Sequence, residues 1–522
     1  MVDIIVVGAG IAGLTASIRA SNSGADVTLI SPDYSERAQS VMAMGGINAS
    51  MNTKGEDDST DQHFADTMKG GCGINDPDAV KRLTDDAPHI IEWLESIGTS
   101  FSRDENGNVD MRNFGGQKKK RTVFAGARTG KQIVSALVNA CRRNESLGKI
   151  KRFVGFRFLS LILTDQGECC GVKCINEATE EIRSFIGDAV IIATGGYNPL
   201  FGRILGSTQN DGFATAKLFT QGVKLANLEM VQYHPTTVAT TQKRMLITEA
   251  ARGEGGRLFV ERDGEKYYFM KELYPELADL MPRDVVSRSI FKVSNGGEKQ
   301  VYLDLTDLDE DTVKIKLDEV YEICTKYLGL DPLTEPIPIY PAVHYFMGGI
   351  KTDENHKTNI KGLYAAGECS CQYHGANRLG GNSLLGAVHG GWISAENAVH
   401  EKVSGSPVDD ELESVIYGDK SLNDVLGEIS EIMNGAMGIY RNENDLRNAL
   451  LRLEKLDLKV NAKYYDCLKV QLLVIIGKAS IMSALSRRES RGAHQRLDYP
   501  ESDENYEKST DAMYVDGEIV IS

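Results

Sequence analysis

The sequence predicts an α/β fold in which a nucleotide-binding part is interrupted by an inserted α+β part and followed by a helical C-terminal part. Three observations support this prediction. The first thirty residues alternate an apolar run, a glycine-rich turn, an alanine-rich helical pattern and a second apolar run. Two more apolar runs, residues 188–193 and 362–366, each lead into a turn that contains glycine. Beyond about residue 403 the apolar residues recur at i, i+3 and i+4, which is typical of amphipathic helices.

These patterns divide the chain of 522 residues into four stretches. Residues 1–221 and 343–402 are predicted to form the two parts of the nucleotide-binding domain. Residues 222–342, which are rich in charge and show little βαβ pattern, are predicted to form a capping domain inserted between them. The remainder, 403–522, is predicted to be a helical domain and tail. Its expected helices cover residues 412–437, 443–456 and 466–487.

Composition narrows the class of protein. A formal net charge of −16 argues against nucleic acid or an anionic membrane surface as the main partner. No apolar run reaches the roughly 18 residues of a membrane span, and the N-terminus lacks the basic start of a signal peptide. The expected location is therefore the cytoplasm, or the inner face of a membrane reached through partner subunits. The short basic run Gln117–Arg121 is expected to be a solvated loop.

Nine cysteines in a chain of this length do not indicate a disulfide framework. Neither the pair Cys369 and Cys371 nor the group around Cys170 has the spacing of a zinc or iron–sulfur site, so no metal site is predicted. If the protein carries out redox chemistry, its electrons must therefore be relayed from outside this chain.

The first motif with chemical meaning is Gly8-x-Gly10-x-x-Gly13, between the first strand and the first helix. Glycines there allow a tight turn and bring the backbone close to a pyrophosphate at the helix N-terminus. The acidic residue that usually ends the second strand of an NAD site is missing, and Ser31 stands there instead. This departure weakens an NAD interpretation and leaves Ser31 as a candidate ribose contact.

Further motifs occur along nearly the whole chain, and together they resemble one family. They are Ala43–Ile47, His63–Thr67, Ala193–Tyr197, Asn210–Gly212, His234–Thr236, Thr248–Gly256, Arg283–Arg288, His344–Gly349, Gly367–Glu368, Gly375–Ser383 and Glu489–His494. In this order the sequence resembles the flavoprotein subunits of fumarate reductase and succinate dehydrogenase, together with L-aspartate oxidase.

The resemblance implies a Rossmann-like domain that binds FAD. The implied cofactor contacts are Gly8, Gly10, Gly13, Ser31, Gly45, Gly46, Thr194, Gly195, Asp211, Glu368 and Ser383. Membrane-bound relatives attach FAD through a histidine shortly before the two glycines, and Gln39 occupies that position here. An amide lacks the nucleophilic nitrogen of imidazole, so non-covalent FAD is expected. Because the covalent link makes the flavin easier to reduce, its absence favours fumarate reduction.

The resemblance also implies a dicarboxylate substrate. A dicarboxylate needs two anion clamps, and arginine provides bidentate geometry. His344 and Arg378 are expected to hold one end, and His234 with Thr248 the other.

The same resemblance makes Arg283 the proton donor to the substrate carbon, supplied by a relay through Glu249 and Arg252. Arginine ordinarily stays protonated in proteins, so the relay would have to refill it at once. The alternative for Arg283 is a structural ion pair with Asp284 or Glu249.

Two departures bear on the choice within the family. L-Aspartate oxidases carry a glutamate that can meet the substrate ammonium, and Phe114 stands at that position here. This favours fumarate or succinate, with L-aspartate oxidase as the alternative. Met44 replaces the usual glutamine beside the flavin and cannot make the amide's hydrogen bonds. The stretch 489–506 resembles subunits that dock an iron–sulfur protein, although the chain ends early enough to leave a soluble partner open. A non-catalytic flavin-bearing scaffold would not need this set of polar residues.

Overall fold

The computed structural model describes residues 2–126, 128–202, 204–240, 244–408 and 411–522. Within these residues the strands, β1 to β21 in chain order, are Asp3–Val7, Asp26–Ser31, Ile47–Asn48, Met111–Arg112, Thr122–Val123, Ile150–Val154, Phe156–Leu163, Cys169–Asn176, Ile182–Ile186, Ala189–Ile192, Leu225–Ala226, Val231–Ala239, Arg244–Leu246, Arg257–Arg262, Glu265–Tyr267, Val301–Asp304, Ile337–Phe346, Gly349–Ile350, Leu363–Ala365, Asp511–Val515 and Glu518–Ile521. The α-helices of the same residues, α1 to α13, are Ile11–Asn22, Thr60–Gly70, Pro77–Ser96, Thr129–Ser146, Phe213–Thr220, Ala250–Gly253, Phe269–Leu273, Arg283–Val293, Asp318–Ile323, Asn382–Ala398, Leu422–Ala436, Glu443–Glu454 and Tyr464–Ser486.

A five-stranded parallel sheet in the order β19-β10-β1-β2-β6 forms the base of the protein. All four strands predicted from apolar runs lie in it, and both faces are covered, as continuous apolar strands require. Glycine is obligatory where α1 follows β1. A Cβ on Gly13 would lie 1.8 Å from the carbonyl oxygen of Gly8, and one on Gly8 would lie 2.2 Å from that of Ala193. The α/β, Rossmann-like prediction is confirmed.

The inserted segment is built around a six-stranded sheet in the order β13-β12-β17-β16-β14-β15. Its two longest strands, β12 and β17, are neighbours and run antiparallel with irregular register near His234. The boundary predicted at residues 342/343 falls inside β17, because this strand continues to Phe346. We call the inserted segment, residues 222–342, the cap, and the domain of the parallel sheet the base. The strands β12 and β17 therefore belong to the cap at one end and to the base at the other.

The C-terminal part contains α11, α12 and α13 packed against one another, but the first of these helices begins later than predicted. The expected start was residue 412, whereas α11 begins at Leu422. The backbone of Gly418 instead donates to the Val460 carbonyl, which keeps the preceding segment extended. The tail then forms the hairpin β20–β21, which joins a four-stranded sheet in the order β18-β11-β20-β21.

Helix α13 is long and apolar enough to cross a membrane, which the sequence reading did not recognise. Of its most apolar window, 67% is buried inside the protein. Residues along its whole length belong to the hydrophobic core that also contains β7, β8 and α5. Its apolar character is therefore used in packing within this fold.

The basic run Gln117–Arg121 is only partly the solvated loop that was predicted. Lys118 and Lys120 are exposed, but Arg121 is completely buried and pairs with Asp58 and Asp66, each at 2.8 Å. An unpaired buried guanidinium would be very costly, and these two carboxylates compensate its charge.

A second buried ionic cluster fixes the C-terminal tail. Arg487 Nε lies 2.7 Å from Glu229, and Arg487 Nη1 lies 2.8 Å from Glu489. Glu489 also accepts from Arg491 at 2.7 Å. Arg487 further donates to the carbonyl oxygens of Tyr506 and Lys508, each at 2.7 Å, so the tail is held against the strand entry at Glu229.

Candidate active site

A cavity of about 470 Å³ lies at the carboxyl end of the parallel sheet. The first glycine turn, the ends of β2, β10 and β19, and the start of α10 all reach it, which is where doubly wound folds bind dinucleotides. Of the predicted cofactor contacts it is lined by Gly8, Gly10, Ser31, Thr194, Gly195, Asp211, Glu368 and Ser383. The glycine turn gives a ligand direct access to backbone groups, so the cavity suits FAD.

The remaining three predicted cofactor contacts do not line this cavity. Gly13 serves the packing of α1 on β1, as described above. A Cβ on Gly45 would lie 2.8 Å from the ring of Phe114, and one on Gly46 would lie 2.5 Å from Thr122. These glycines are explained by close packing in the structure, and their contact with a cofactor stays a prediction.

Gln39 links two walls of the cavity. Its Oε1 accepts from the Asn198 side chain at 3.1 Å, the Ser207 backbone at 2.9 Å and the Asn210 side chain at 3.0 Å. Its Nε2 lies 3.3 Å from Glu368. The amide therefore ties Asn198, Ser207 and Asn210 to Glu368, just beyond β19, and its oxygen has three donors.

Two acidic residues of the cavity differ in their surroundings. Burial raises the pKa of Glu368 to about 7 despite a hydrogen bond from the Phe346 backbone and the nearby Arg378. Asp211 instead accepts from Arg157 and from the hydroxyl of Tyr465, both at 2.9 Å. Asp211 is thus already engaged within the protein, whereas Glu368 is poised to share a proton.

Met44 also lines the cavity, and its peptide is held by an arginine that the sequence did not single out. Arg112 Nη2 donates to the carbonyl oxygens of Met44, at 3.3 Å, and of Gly45. Its guanidinium stacks on Phe124, 4.3 Å from the ring centre. Burial lowers the pKa of Arg112 to about 10.

The predicted substrate residues gather where β12 and β17 leave the base. His234 on β12 and His344 on β17 face each other with ring centres 5.1 Å apart. Burial, reinforced by the neighbouring Arg283, lowers the pKa of both imidazoles well below the ordinary value, so they are neutral. His234 Nε2 is buried and has no hydrogen-bond partner in the part of the chain that the structure describes, which leaves it available to a ligand. Only His344 of this pair also lines the cofactor cavity.

Arg378, on the loop before α10, is buried, and no carboxylate of the described residues lies at salt-bridge distance from it. Its Nη2 donates to Gln232 Oε1 at 2.9 Å, and its guanidinium lies 4.3 Å from the ring centre of Tyr345. Its Nε has no partner. Burial, together with the charge of Arg283, lowers the pKa of Arg378 to about 9. A buried cation this poorly compensated is expected at an anion-binding site.

The predicted proton relay is assembled as a continuous buried cluster. Arg283, at the start of α8, binds Glu249 Oε2 through Nε at 2.9 Å and Nη2 at 2.7 Å. The other oxygen, Oε1, accepts from Arg252 at 3.3 Å and from the backbone of Gly115 at 3.1 Å. Burial raises the pKa of Glu249, but the two guanidinium groups outweigh it and the pKa falls below its usual range.

Phe114 and Thr248 complete the predicted set. Phe114 is 2% exposed, and a Cβ on Gly380 would meet its ring, Glu249 and Arg283 together, so all three surround one small volume. Thr248 is buried, and its hydroxyl oxygen accepts from the backbone of Ala250 at 3.3 Å. The hydroxyl hydrogen of Thr248 is therefore still available for a ligand.

Gln232 is the main residue that the sequence reading missed. Its Oε1 accepts from both Arg378 and Arg283, the latter at 3.4 Å, while its Nε2 donates to Asn377 and to the Arg378 carbonyl. It therefore separates two guanidinium groups and fixes the loop that carries one of them. The sequence did contain a signal that Gln232 belongs to the site. It lies two residues before His234, and side chains two residues apart on a strand point to the same face.

Comparison with known proteins agrees with this geometry. Residues 3–384 match the FAD binding domain family, and residues 427–521 match the fumarate reductase flavoprotein C-terminal family. The succinate dehydrogenase flavoprotein subunit of Bacillus subtilis is 38% identical over 550 residues, covering 98% of this chain and 94% of that protein. The fumarate reductase flavoprotein subunit of Mycobacterium tuberculosis is 35% identical over 552 residues, covering 97% and 93%.

Solved structures give the same result. A mutant of the FrdA chain of Escherichia coli quinol fumarate reductase superimposes with a TM-score of 0.91 at 31% identity, covering 100% of this chain and 96% of that chain. The protein is therefore an FAD-dependent oxidoreductase that acts on CH–CH bonds. The chain belongs to the succinate dehydrogenase and fumarate reductase flavoprotein family.

Replacing Gln232 by leucine tests the bridge between the two arginines. Hydrogen bonds to charged groups contribute about 1.5–3 kcal/mol, so Gln232→Leu should lower kcat/KM for fumarate by roughly 10- to 100-fold with FAD content unchanged. Steady-state kinetics measures this, and Gln132→Leu on the exposed face of α4 is the matched control. An unchanged kcat/KM would show that the bridge does not position the arginines.

Proposed function

We propose that this chain is the catalytic flavoprotein subunit of a fumarate reductase that acts on fumarate and succinate and favours fumarate reduction. One observation supports the substrate class above all. Among the described residues, three buried guanidinium groups, on Arg252, Arg283 and Arg378, have a single carboxylate at salt-bridge distance, Glu249. Two of the three charges thus lack a directly bound counter-ion of their own, and a substrate with two carboxylates would supply both. Burying charges without such compensation costs several kcal/mol each.

The donors are arranged for the two ends of such a substrate. His344 and Arg378 are proposed to bind one carboxylate, and His234 with Thr248 the other. The support is that Arg378 Nε and His234 Nε2 are buried without partners. Neutral imidazoles can donate a hydrogen bond to a carboxylate without adding to the positive charge.

Arg283 is proposed to give a proton to the substrate carbon. As charge develops on that carbon it becomes a strong base, so even a guanidinium can act as the acid. Glu249 lies within hydrogen-bond distance of both Arg283 and Arg252, so it can pass a proton from one to the other. Gly115 N–H holds the carboxylate in place during the transfer.

FAD, when bound, supplies the hydride, and the chain's own part is to bind and orient it. Gln39 stands at the position where membrane-bound relatives have their linking histidine, and its amide cannot attack the flavin methyl group. We therefore propose that FAD is held non-covalently. The missing link favours fumarate reduction over succinate oxidation.

L-Aspartate oxidase remains the second candidate, and one feature separates it from the first. An aspartate substrate carries an ammonium group that needs a nearby carboxylate. Phe114 stands at the corresponding sequence position, its ring is buried, and the adjacent Glu249 is already paired with two arginines. This supports the unaminated dicarboxylate as substrate.

Electrons are proposed to come from an iron–sulfur subunit or another electron-transfer protein, with the chain in the cytoplasm or at the inner face of a membrane through such partners. Among the described residues no cluster of His, Cys, Asp and Glu could hold a metal ion. The stretch 489–506 is the proposed docking region. Glu489 and Arg491 face inward, whereas Leu497 is 61% exposed and available for contact.

Arg283→Ala should abolish fumarate reduction while FAD stays bound, because loss of a catalytic acid commonly costs about 10²–10⁴-fold in rate. Reduced viologen dye and fumarate give the rate, and the flavin absorbance gives the FAD content. Arg288→Ala is the control on the same helix, since Arg288 binds Asp284 and the Gly492 carbonyl instead. If Arg283→Ala kept about a tenth of the wild-type rate, the acid would have to be another group.

Fumarate should be reduced faster than succinate is oxidised, and L-aspartate should not react, because Phe114 offers an ammonium group no partner. The three rates are measured with dyes on the pure protein, and aspartate also by peroxide release in air. Robust aspartate-dependent peroxide would establish the oxidase instead. Succinate oxidation exceeding fumarate reduction would refute the direction.

Acid precipitation should leave the yellow flavin in the supernatant, because Gln39 cannot form a bond to it. Flavin fluorescence that travels with the protein band on a denaturing gel would contradict this. The variant Gln39→His serves as the comparison. It removes the amide oxygen that accepts three hydrogen bonds, so it should also loosen the 198–210 loop and lower the FAD content.

A further inference from the structure

A chain of buried titratable side chains lies apart from the relay described above. It starts at Asp86 on α3, whose side chain is 41% exposed and whose Oδ2 lies 3.1 Å from His389 Nε2 on α10. His389 Nδ1 lies 2.6 Å from the hydroxyl oxygen of Tyr373. That hydroxyl also contacts His356 Nε2, and His356 Nδ1 lies 2.6 Å from the Ala365 carbonyl oxygen. The four links thus lead from the surface to the end of β19.

The hydrogen-bond chain from Asp86 to Ala365 needs one more hydrogen atom than its side chains carry when they are all neutral. Each of its four links requires one hydrogen, and both ends, the Asp86 carboxylate and the Ala365 carbonyl, can only accept. Two neutral imidazoles and one phenol supply three hydrogens. All four links can therefore form only when the chain has bound an additional proton. Raising the pH removes that proton and breaks one link, and lowering the pH restores it.

The extra proton is confined to the outer end of this hydrogen-bond chain, at Asp86 and His389. Burial lowers the pKa of His356 to about 3, so this ring stays neutral. The hydrogen bond from His389 lowers the pKa of Asp86, so the carboxyl is ionised and the imidazole of His389 is the place for the proton. Burial lowers the pKa of His389 below its ordinary value although Asp86 opposes this, so the proton is held on the acid side of that value.

Other charged groups face this end from every side. Arg82 and His89 lie on α3 with Asp86, Glu396 lies on α10, and Asp76 lies at the start of α3. The amide of Gln372 contacts the ring of His356 at 2.9 Å and is itself held by Thr352. The carboxylates favour the bound proton, and Arg82 opposes it.

The same chain supports the loop that carries Arg378. Tyr373 lies five residues before Arg378, and its carbonyl accepts from Asn75 at 3.3 Å. On the other side, His356 holds the backbone of Ala365, two residues before the cavity wall at Gly367 and Glu368. We propose that Tyr373, His356, His389 and Asp86 form a proton-dependent clamp that positions the Arg378 loop against the end of β19. Tyr373 and His389 are then positioning residues for the reaction. This inference rests on the proposed function for its kinetic readout.

The decisive variant is Asp86→Asn, because an amide supplies the missing hydrogen without a charge. In this variant the linked side chains carry four hydrogen atoms, one for each of the four links, at every pH. The clamp should therefore stay closed. The fumarate KM of the FAD-loaded protein is measured between about pH 5 and 8, because burial lowers the pKa of His389 below the ordinary histidine value of about 6.5. We expect wild type and Asp86→Asn to agree at the acid end and the wild-type KM to be several-fold higher at the alkaline end. Asp85→Asn, which alters the neighbouring exposed carboxylate bound to Lys81, should follow the wild type.

Tyr373→Phe breaks two of the four links, and the two that remain need no extra proton. Its fumarate KM should therefore exceed that of Asp86→Asn by a similar factor at every pH. Superimposable profiles of wild type and Asp86→Asn would overturn the proposal. So would a wild-type profile for Tyr373→Phe.

A second readout does not depend on turnover. Nitrogen-15 NMR of histidine-labelled holoprotein should show, among the rings protonated on both nitrogens in wild type at low pH, one signal that is lost in His389→Gln. That signal should be absent in Asp86→Asn. If it is absent in wild type as well, no extra proton is held and the clamp is wrong, whatever the substrate proves to be.

Discussion

Excess positive charge, buried where the cap meets the base, is the constraint on which the rest of this structure depends. Within the described ranges no carboxylate is at salt-bridge distance from the buried Arg378, and Arg252 and Arg283 share a single one, Glu249. Such a site is stable only if hydrogen-bond acceptors and aromatic faces replace part of the lost hydration. Gln232 and Tyr345 do this for Arg378, and both stand on the two strands that connect the cap to the base.

The geometry of those strands explains why residues far apart in sequence act together. Gln232 of β12 lies opposite Tyr345 of the adjacent β17, and the register shifts between Gln232 and Tyr233, so that His344 is passed over in the pairing. The ring of His344 lies close to that of His234, two residues after Gln232. The cations come from other segments. Arg283 is the first residue of α8, and Arg378 lies in the turn before α10. The strands β12 and β17 thus carry the neutral polar side chains of the site, whereas α8 and the turn before α10 carry the arginines.

Much of the fold could be predicted because its signals are local. The continuous apolar strands and Gly8 and Gly13 define the nucleotide-binding sheet directly. The C-terminal hairpin could not be anticipated, since β20 is fixed by pairing with the distant β11. The start of α11 was misplaced because a contact between Gly418 and Val460, invisible in the pattern, keeps the chain extended there. Within the site, charged and imidazole side chains were found by their chemistry. Gln232 was missed, since a single glutamine in a strand has no distinctive pattern until its two arginines are seen beside it.

The hydrogen bond from Gly115 to Glu249 has a consequence for the order of events. Gly115 belongs to the first stretch of the base, whereas Glu249 belongs to the inserted segment, and nearby the Gly116 backbone donates to the Leu280 carbonyl at 3.2 Å. The carboxylate that connects the two arginines is thus held from both sides of the cleft. If the cap swung away, Glu249 would lose a donor and meet water, which competes for its proton. In the proposed reaction, proton delivery would therefore require a closed cleft, and an enzyme with an open cleft would not spend its reducing equivalents on an unprotonated carbon.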